Sequence, residues 1–498
     1  MRIVSSTGNR DSSPVSQATS RAWFAIATSF MKAKFALASL FIPAAIRTIP
    51  EIIAGPYPIG YDTMAAYVPF MRDWAAGSMG THYTSEVGGW LLFVLFGLAY
   101  SATRIDPLTI VKIAGPILYG ILGYSEYVFA GKVLHWDKQK SFLLVLIASI
   151  YFVSLRVSWD LFRNTLGLAL MLFALAVGMK IESKKRLIGF SALILTVALT
   201  HLLVATLLVS LVLIQAFADR FDLRRVLSTI PAAIVCTASL IGFQAQGITA
   251  TGKGLSGVGS LSLYAFSLYA FLPLLPMAVF GRRALRSNLM KWWLVTCILG
   301  MILATTPLSI SSQLVSPDRW ILMMFLPLTV ISVEGFTKLG TSISFRGFRP
   351  VVRISWILLL LILFTGYAGL QAETAFPYYS YFIPTSMLQS TVPLHESQDI
   401  VNSFHWLSAN IQSGSTIMAL DPIYGWVREY FNGSANIVAF APGTTFDGAL
   451  HQTLEMGNSR IYTVWWANGQ GWYSEPTPPT GFVLQHRSGQ FGVFLYEP

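Results

Sequence analysis

Apolar runs approaching ~20 residues, the length needed to cross a bilayer, recur between Trp23 and Leu370. Inside hydrocarbon every backbone N–H and C=O has to be satisfied by the chain itself, so runs of this length fold as helices. Charged residues make up only 11% of the 498, against about 25% in an ordinary soluble domain. Together these features specify an α-helical polytopic membrane protein and exclude a single soluble globule.

Charge placement orders the helices. The net charge is +11, yet Gln371 to Pro498 carries nine acids and three bases, Arg428, Arg460 and Arg487. The basic surplus lies in five clusters: Lys132/Lys138/Lys140, Lys180/Lys184/Lys185/Arg186, Arg220/Arg224/Arg225, Arg282/Arg283/Arg286/Lys291 and Lys338/Arg346/Arg349/Arg353. An excess of Lys and Arg marks cytoplasmic loops, so the clusters read as topology signals and not as a nucleic-acid surface.

With all five clusters inside, residues 1–22 form a disordered cytoplasmic N-terminus and residues 23–370 the transmembrane domain. The first crossing runs from about 23 to 49 and bends at Pro43. Lys32 and Lys34 interrupt any signal-peptide pattern, so this crossing is expected to be retained. Further crossings fall near 107–131, 141–155, 162–179, 187–201, 202–218, 226–245, 263–280, 292–308, 319–337 and 353–370, about eleven in all.

That path leaves residues 50–106 as a first external loop. Trp90 to Ala102 is apolar but, at ~13 residues, too short to cross. Met64, Tyr67, Met71 and Trp74 fall at helical spacing and describe a short interfacial helix interrupted near Pro69. Other external pieces are 156–161, the turn at His201, a Gly-rich loop at 246–262, and 309–318.

Residues 371–498 then lie outside the membrane as an extracytoplasmic α/β domain. A helix is expected over Asp399–Asn410, with strands over Ser415–Ala419 and Ile461–Trp466. Asn432-Gly433-Ser434 is a glycosylation sequon. Cys236 and Cys297 sit in apolar runs and suggest neither a disulfide framework nor a metal site.

Several ionisable residues gather at the external level of this map, where apolar structure does not explain them. Asp62 follows Pro58 and Gly60, which force a turn; it would either cap the helix behind it or present a catalytic carboxylate. Arg156, Asp160 and Arg163 lie between two crossings. Asp160 either caps the next helix or pairs with one of the two arginines at i±4 or i±3; functionally, the group suits an acceptor and a phosphate.

His201 marks a hairpin tip, and Asp318-Arg319-Trp320 opens another crossing from outside. Arginine grips phosphate oxygens through a planar fork. Glu86 and His82 belong to the first loop. Walker, Gly-x-Ser-x-Gly, His-Glu-x-x-His and Asp-x-Asp motifs are all absent. Metal dependence stays open, with a divalent cation (Mg or Mn) as the cofactor in question.

These residues, in this order, resemble the GT-C superfamily of membrane glycosyltransferases, which use polyprenyl-phosphate-linked sugars. The resemblance spans the whole chain as architecture. It is carried by Gly60-Tyr61-Asp62, the juxtamembrane helices after it, Arg156 to Asn164, Thr200-His201 and Asp318-Arg319-Trp320. In the tail, Phe404 to Asn410 followed by Asp421-Pro-Ile-Tyr-Gly-Trp426 is similar to the external domain of archaeal oligosaccharyltransferases. Of that family's Trp-Trp-Asp-Tyr-Gly motif only Tyr424-Gly425 stands here, which argues against sequon-directed transfer of whole glycans.

The resemblance implies a catalytic Asp62, with Asp160 beside it in the reacting centre. It also implies substrate contacts from Tyr61, Arg156, Arg163, His201, Arg319 and Glu86. The donor would be a polyprenyl- or dolichyl-phosphate sugar within membrane lipid, and the acceptor a glycan, lipid or protein. Asp62 would act as general base for an inverting transfer, while Arg163, Arg319 and His201 neutralise the departing phosphate. Two alternatives share the compartment: a transporter or flippase of lipid-linked sugars, and a polysaccharide polymerase or ligase. The lack of an internal repeat and the one-sided external domain weigh against the transporter.

Overall fold

The computed structural model describes residues 14–77, 89–178, 183–218, 222–245, 250–251, 270–283, 288–305, 309–310, 317–342, 392–431, 434–440, 446–457, 460–467 and 481–497, together with 181, 267–268 and 314. The expected crossing at 353–370, the domain boundary at 371, most of the Gly-rich loop, Asn432, His82 and Glu86 lie outside the described residues.

Helix α1 covers Pro14–Ile53 with Pro43 and Pro50 inside it. It starts within the segment expected to be disordered, because elongating an existing helix fixes one residue per hydrogen bond gained whereas nucleation fixes three. A one-turn π-helix, Thr63–Tyr67, follows the Asp62 loop and runs into α2, Val68–Ala76, which has Pro69 in its first turn. Then come α3 (Trp90–Thr103), α4 (Pro107–Lys132), α5 (Lys138–Ile150) and α6 (Phe152–Asp160). Next are α7 (Phe162–Gly178), α8 (Lys184–Thr200), α9 (Leu202–Ala218) and α10 (Leu223–Ala245). As the sequence suggested, the chain breaks between two helices at His201, whose backbone is extended.

Strand β1 (Ala250–Thr251) precedes α11 (Leu275–Phe280) and α12 (Asn288–Ala304); β2 (Ser309–Ile310) precedes α13 (Pro317–Met323) and α14 (Phe325–Ser342). β1 pairs antiparallel with β2, which joins two segments that the sequence placed on the same external level.

Four of these helices are long and apolar enough to cross a membrane: Lys34–Ile53, Pro107–Lys132, Leu223–Gly242 and Pro317–Lys338. Counting α5 with α6, bent by 68°, as a single crossing makes five. The eleven expected crossings are therefore not all of full spanning length among the described residues; α7, α9 and α12 are apolar but have 17 residues each, while α3, expected not to cross, has 14. A second correction concerns 156–161. All nine residues of α6 are buried, so this segment is a helix inside the protein and not an external loop.

Glycines set the closest crossings. A Cβ on Gly120 or Gly123 of α4 would lie 2.6 Å from Leu40 O or 2.5 Å from the Pro43 ring, so the two helix backbones touch. Gly335 on α14 faces Met277 O, where a Cβ would be 1.9 Å away, and Gly281 faces Ile331 O at 1.8 Å. Small residues of this kind are what let membrane helices pack by direct backbone contact.

At one end of the bundle Lys140 pairs with Glu334 at 2.5 Å and Lys338 pairs with the same carboxylate at 2.9 Å. Arg224 donates to Ile181 O at 3.3 Å, so four of the five basic clusters contribute to contacts or to the cavity that Arg283 and Glu334 line there. The opposite end carries the Asp62 loop, α6 and the start of α13.

The C-terminal domain begins with α15 (Ser397–Asn410), then β3 (Thr416–Leu420), α16 (Asp421–Phe431), β4 (Asn436–Phe440) and α17 (Phe446–Glu455). It ends with β5 (Ile461–Trp466), β6 (Phe482–Ser488) and β7 (Phe491–Tyr496). The five strands are ordered β4-β3-β5-β7-β6. β3 runs parallel to β4 and β5, while β7 runs antiparallel to β5 and β6. The expected helix and both expected strands fall here within two residues of their observed ends. One apolar core joins Tyr67, Phe70 and Phe93 of the first loop to Trp426, Trp465 and Phe491 of this domain.

The Gly335 crossing gives the first test. Gly335→Ala places a methyl group against a carbonyl that cannot turn aside, and is expected to cost about 1–3 kcal/mol. Thermal unfolding in detergent measures it; an unchanged midpoint contradicts the crossing.

Candidate active site

The site starts from a backbone seat. Gly60 has φ +114, and a Cβ there would lie 2.3 Å from Asp160 Cβ and 2.9 Å from Trp159 O. Only glycine fits both the dihedral and the space. The next residue, Tyr61, donates its N–H to Asp160 Oδ2 at 3.1 Å. The Thr63 hydroxyl donates back to Gly60 O, and Ile59 packs on Trp159, both fully buried. Asp62 is thus carried on a turn pressed onto the last two residues of α6.

Asp160 is committed to that seat. It forms an i,i+4 ion pair with Arg156, and both side chains are buried to 1% exposure. Of the two readings open to Asp160 in the sequence, pairing along its own helix is the one realised.

Beneath this layer lies a charged network that sequence reasoning missed. Arg47, fully buried on α1, donates from Nε to Ser158 O and from Nη2 to Trp159 O, each at 3.2 Å. Two carbonyls at the C-terminal end of α6, where helix partial charge is negative, are thereby held by a cation. Arg47 also pairs with Glu51 at 2.7 Å, and Glu51 with Lys112 at 3.2 Å. Lys112 in turn donates to Tyr57 O at 3.1 Å, just ahead of the Asp62 turn. Gly115 makes room for the guanidinium, since its Cβ would stand 3.0 Å from Arg47 Nη2. The available signal was a base and an acid four residues apart within an apolar crossing, Arg47 and Glu51, which is costly unless paired.

Asp62 differs from Asp160. It is half-buried, its side chain makes no capping bond to the helix behind it, and it has no hydrogen bond or ion pair among the described residues. The capping alternative is therefore not realised. Burial, followed by the negative charge of Asp160, pushes its carboxyl up to about 6 against the opposing pull of Arg163, Arg319 and Arg156. That list brings together the first loop, α6, α7 and the start of α13, as the sequence suggested.

Arg163 opens α7 and lies with its guanidinium 5.2 Å above the Phe93 ring. The same aromatic wall contains Tyr67, stacked on Phe162 with centroids 5.3 Å apart and planes 7° from parallel. Gly167, one helical turn after Arg163 on the same face, leaves 3.4 Å between its would-be Cβ and His201 Cβ. His201 is thereby brought to the Arg163 side of α7, within electrostatic range of Arg163 and Arg319. Both of its ring nitrogens are buried without a hydrogen-bond partner among the described residues, as are Trp159 Nε1 and Asn164 Nδ2. Buried polar atoms in that condition call for an explanation, and a ligand group is one.

Arg319 is fixed by its neighbour Trp320, which fits the space left by Gly300 on α12 and donates from Nε1 to Leu314 O at 3.0 Å. Asp62, Asp160, Tyr61, Arg156, Arg163, His201 and Arg319 consequently belong to one locality, and only Glu86 lies outside the described residues. No group of three or more His, Cys, Asp or Glu gathers to hold a metal ion among the described residues, and Asp160 is already taken by Arg156 and Tyr61.

The geometry provides one carboxylate without a partner among the described residues, two arginines near it, a buried imidazole and an aromatic wall. Such a set can accept a proton from a hydroxyl and stabilise a phosphate beside it. No protein-family model matches the chain and no curated protein matches it in sequence, so function has to be argued from these residues.

Asp62 has a consequence for stability. The folded state holds the Asp62 proton more tightly than the unfolded chain, so this group favours folding at low pH, and that contribution is lost as pH rises through about 6. Asp62→Asn is therefore expected to match wild type near pH 4 and to be more stable by about 1–3 kcal/mol near pH 8. Thermal melts at the two pH values check this; a variant less stable than wild type near pH 8 would contradict it.

Proposed function

We propose that this chain is an integral-membrane glycosyltransferase of the GT-C type, moving a sugar from a polyprenyl-phosphate donor to an acceptor hydroxyl at the extracytoplasmic face. The observation that carries the reading is the contrast between the two carboxylates. Asp160 is neutralised by Arg156 and bound to a backbone N–H, while Asp62 stands unpaired beside Arg163 and Arg319. A general base works best when its pKa lies near the working pH, and a carboxylate at about 6 meets that condition far better than an ordinary aspartate.

In this mechanism the acceptor oxygen attacks the anomeric carbon as Asp62 takes its proton. The bond from that carbon to the lipid-phosphate oxygen breaks on the opposite face, giving inversion. The electron pair of the broken bond leaves on the phosphate, where Arg163 and Arg319 offset the developing charge. Fixed charges in a site with little water are worth more than the same groups in bulk solvent. His201, with two unpartnered ring nitrogens, is suited to a phosphate or sugar oxygen. Asp62 then releases its proton to water.

Lys140, Arg283 and Lys338 gather about Glu334 at the far ends of α5 and α14 from the site, and such loop clusters favour a cytoplasmic side there, with this site and the C-terminal domain on the other. The apolar helix faces near the site would take the polyprenyl tail.

The test is transfer of radiolabel from polyprenyl-phosphate sugars by protein in liposomes, supplied with a membrane extract as acceptor source. Wild type should transfer label with a rate that climbs through about pH 6 as Asp62 ionises. Asp62→Asn should lose about 10²–10⁴-fold and the acid limb with it. Normal turnover in the variant would sink the base assignment. Label that crosses the bilayer but is never transferred by wild type would point to a flippase instead.

A further inference from the structure

Helix α16 of the C-terminal domain sits directly on the π-helix behind Asp62. A Cβ on Gly425 would lie 1.9 Å from Met64 O and 2.9 Å from Ala65 Cα, so backbone meets backbone there. Trp426, the next residue, meets the Tyr57 ring edge-on at 5.8 Å, which fixes the entry to the Asp62 turn as well as its exit. Tyr57 also donates its hydroxyl to Gln398 of α15 at 3.1 Å.

Two ion pairs set the register of this contact. Consecutive residues of α2, Arg72 and Asp73, face consecutive residues of α16 with the charges reversed. Arg72 Nη2 meets Glu429 Oε1 at 2.5 Å, and Arg428 Nη2 meets Asp73 Oδ2 at 2.5 Å. Both acids are nearly buried, Glu429 at 6% and Asp73 at 5% side-chain exposure, so solvent screens these pairs little. A shift of either helix along the other would set like charges together.

Tyr424-Gly425 is also all that stands of the Trp-Trp-Asp-Tyr-Gly motif to which the sequence was compared. Gly425 is covered by the first loop and is closed to any acceptor.

We propose that the C-terminal domain is a positioning element for Asp62: through Gly425, Arg428 and Glu429, helix α16 holds the π-turn that aims the carboxylate. The proposal rests on the glycosyltransferase reading for the meaning of "aim", and on the contacts alone for the coupling. The domain acts by geometry. The charged groups acting on Asp62 are Asp160 and Arg156 of α6, Arg163 of α7 and Arg319 of α13, whereas the charges of Arg428 and Glu429 are engaged with α2. A π-turn of one residue too many per turn is uncommon and recurs at functional sites; here α16 supplies the packing that keeps it in place.

The experiment uses the full chain in nanodiscs and compares wild type with Asp73→Arg, Arg428→Asp, the double exchange and the milder Glu429→Gln. Two readouts are taken. One is label transfer resolved into kcat and donor KM. The other needs no turnover: the pH midpoint of carbodiimide modification at Asp62, read by mass spectrometry.

Each single reversal is expected to lower kcat about 10–100-fold while donor KM changes less than about threefold, the signature of a misplaced reacting group and not of lost substrate affinity. The Asp62 midpoint should move from its wild-type value toward the ordinary carboxylate range, because a loosened turn is better hydrated. Glu429→Gln should move both readouts in the same direction by less, and the double exchange should return both toward wild type. Folded single variants with wild-type kcat and an unmoved midpoint would overturn the proposal, and so would a folded double exchange that restores neither. Should wild type transfer no sugar at all, the glycosyltransferase reading falls by itself. The midpoint alone then decides the coupling: moved by the singles and restored by the double it stands, unmoved it fails.

Discussion

The Tyr61 N–H rests on the Asp160 carboxylate, Asp160 is held by Arg156, and the two carbonyls just before it in the helix are held by Arg47. Everything else at the site follows from this stack. It fixes one acid by neutralising it, and leaves the other, Asp62, the residue after Tyr61, as the only one of the pair without a partner among the described residues. It also brings three helices, α1, α4 and α6, to a common point through Arg47, Glu51 and Lys112. Buried ion pairs are a weak source of net stability, since desolvation offsets most of their attraction. Their value here is positional: a slipped loop would strand a charge in an apolar interior.

The same logic extends outward. Beyond the π-turn, α2 meets α16 through two reversed ion pairs, and the first loop shares its apolar core with the C-terminal sheet. The loop is consequently held from both sides, by the apolar helices on one and by the C-terminal domain on the other. In the glycosyltransferase reading this is preorganisation: the base is set before substrate arrives, and little rearrangement has to accompany the chemical step.

Much of this was legible in the sequence where a local rule determined the outcome. Pro58 and Gly60 announced the turn that presents Asp62, the Arg156/Asp160 spacing offered their pair as one of several readings, and His201 between two short apolar runs announced a break. Strand Ile461–Trp466 was visible as an apolar β-branched and aromatic run. Features set by distant contacts were not legible. Helix α6 reads as a loop because its ionisable residues suggest exposure, when Arg156 and Asp160 are buried against each other and Asp160 also accepts from the distant Tyr61 N–H. Arg47 drew no reading from the sequence, because the α6 carbonyls it holds lie more than a hundred residues away. Tyr424-Gly425 reads as the remnant of a longer motif, although the glycine is required by the approach of Met64 O. Hydropathy likewise marks eleven apolar segments without fixing how many are long enough to span, because a tightly packed bundle can bury short helices that no lipid has to cover.

The central claim is that Asp62, Arg163, Arg319 and His201 form one site for a lipid-linked sugar phosphate. An experimental structure with a non-transferable polyprenyl-phosphonate sugar tests it most directly. The account predicts phosphonate oxygens within hydrogen-bond reach of Arg163 or Arg319 and the anomeric carbon facing the Asp62 carboxylate, with the tail lying along the apolar helices. A headgroup bound elsewhere, with Asp62 facing only solvent, would contradict it.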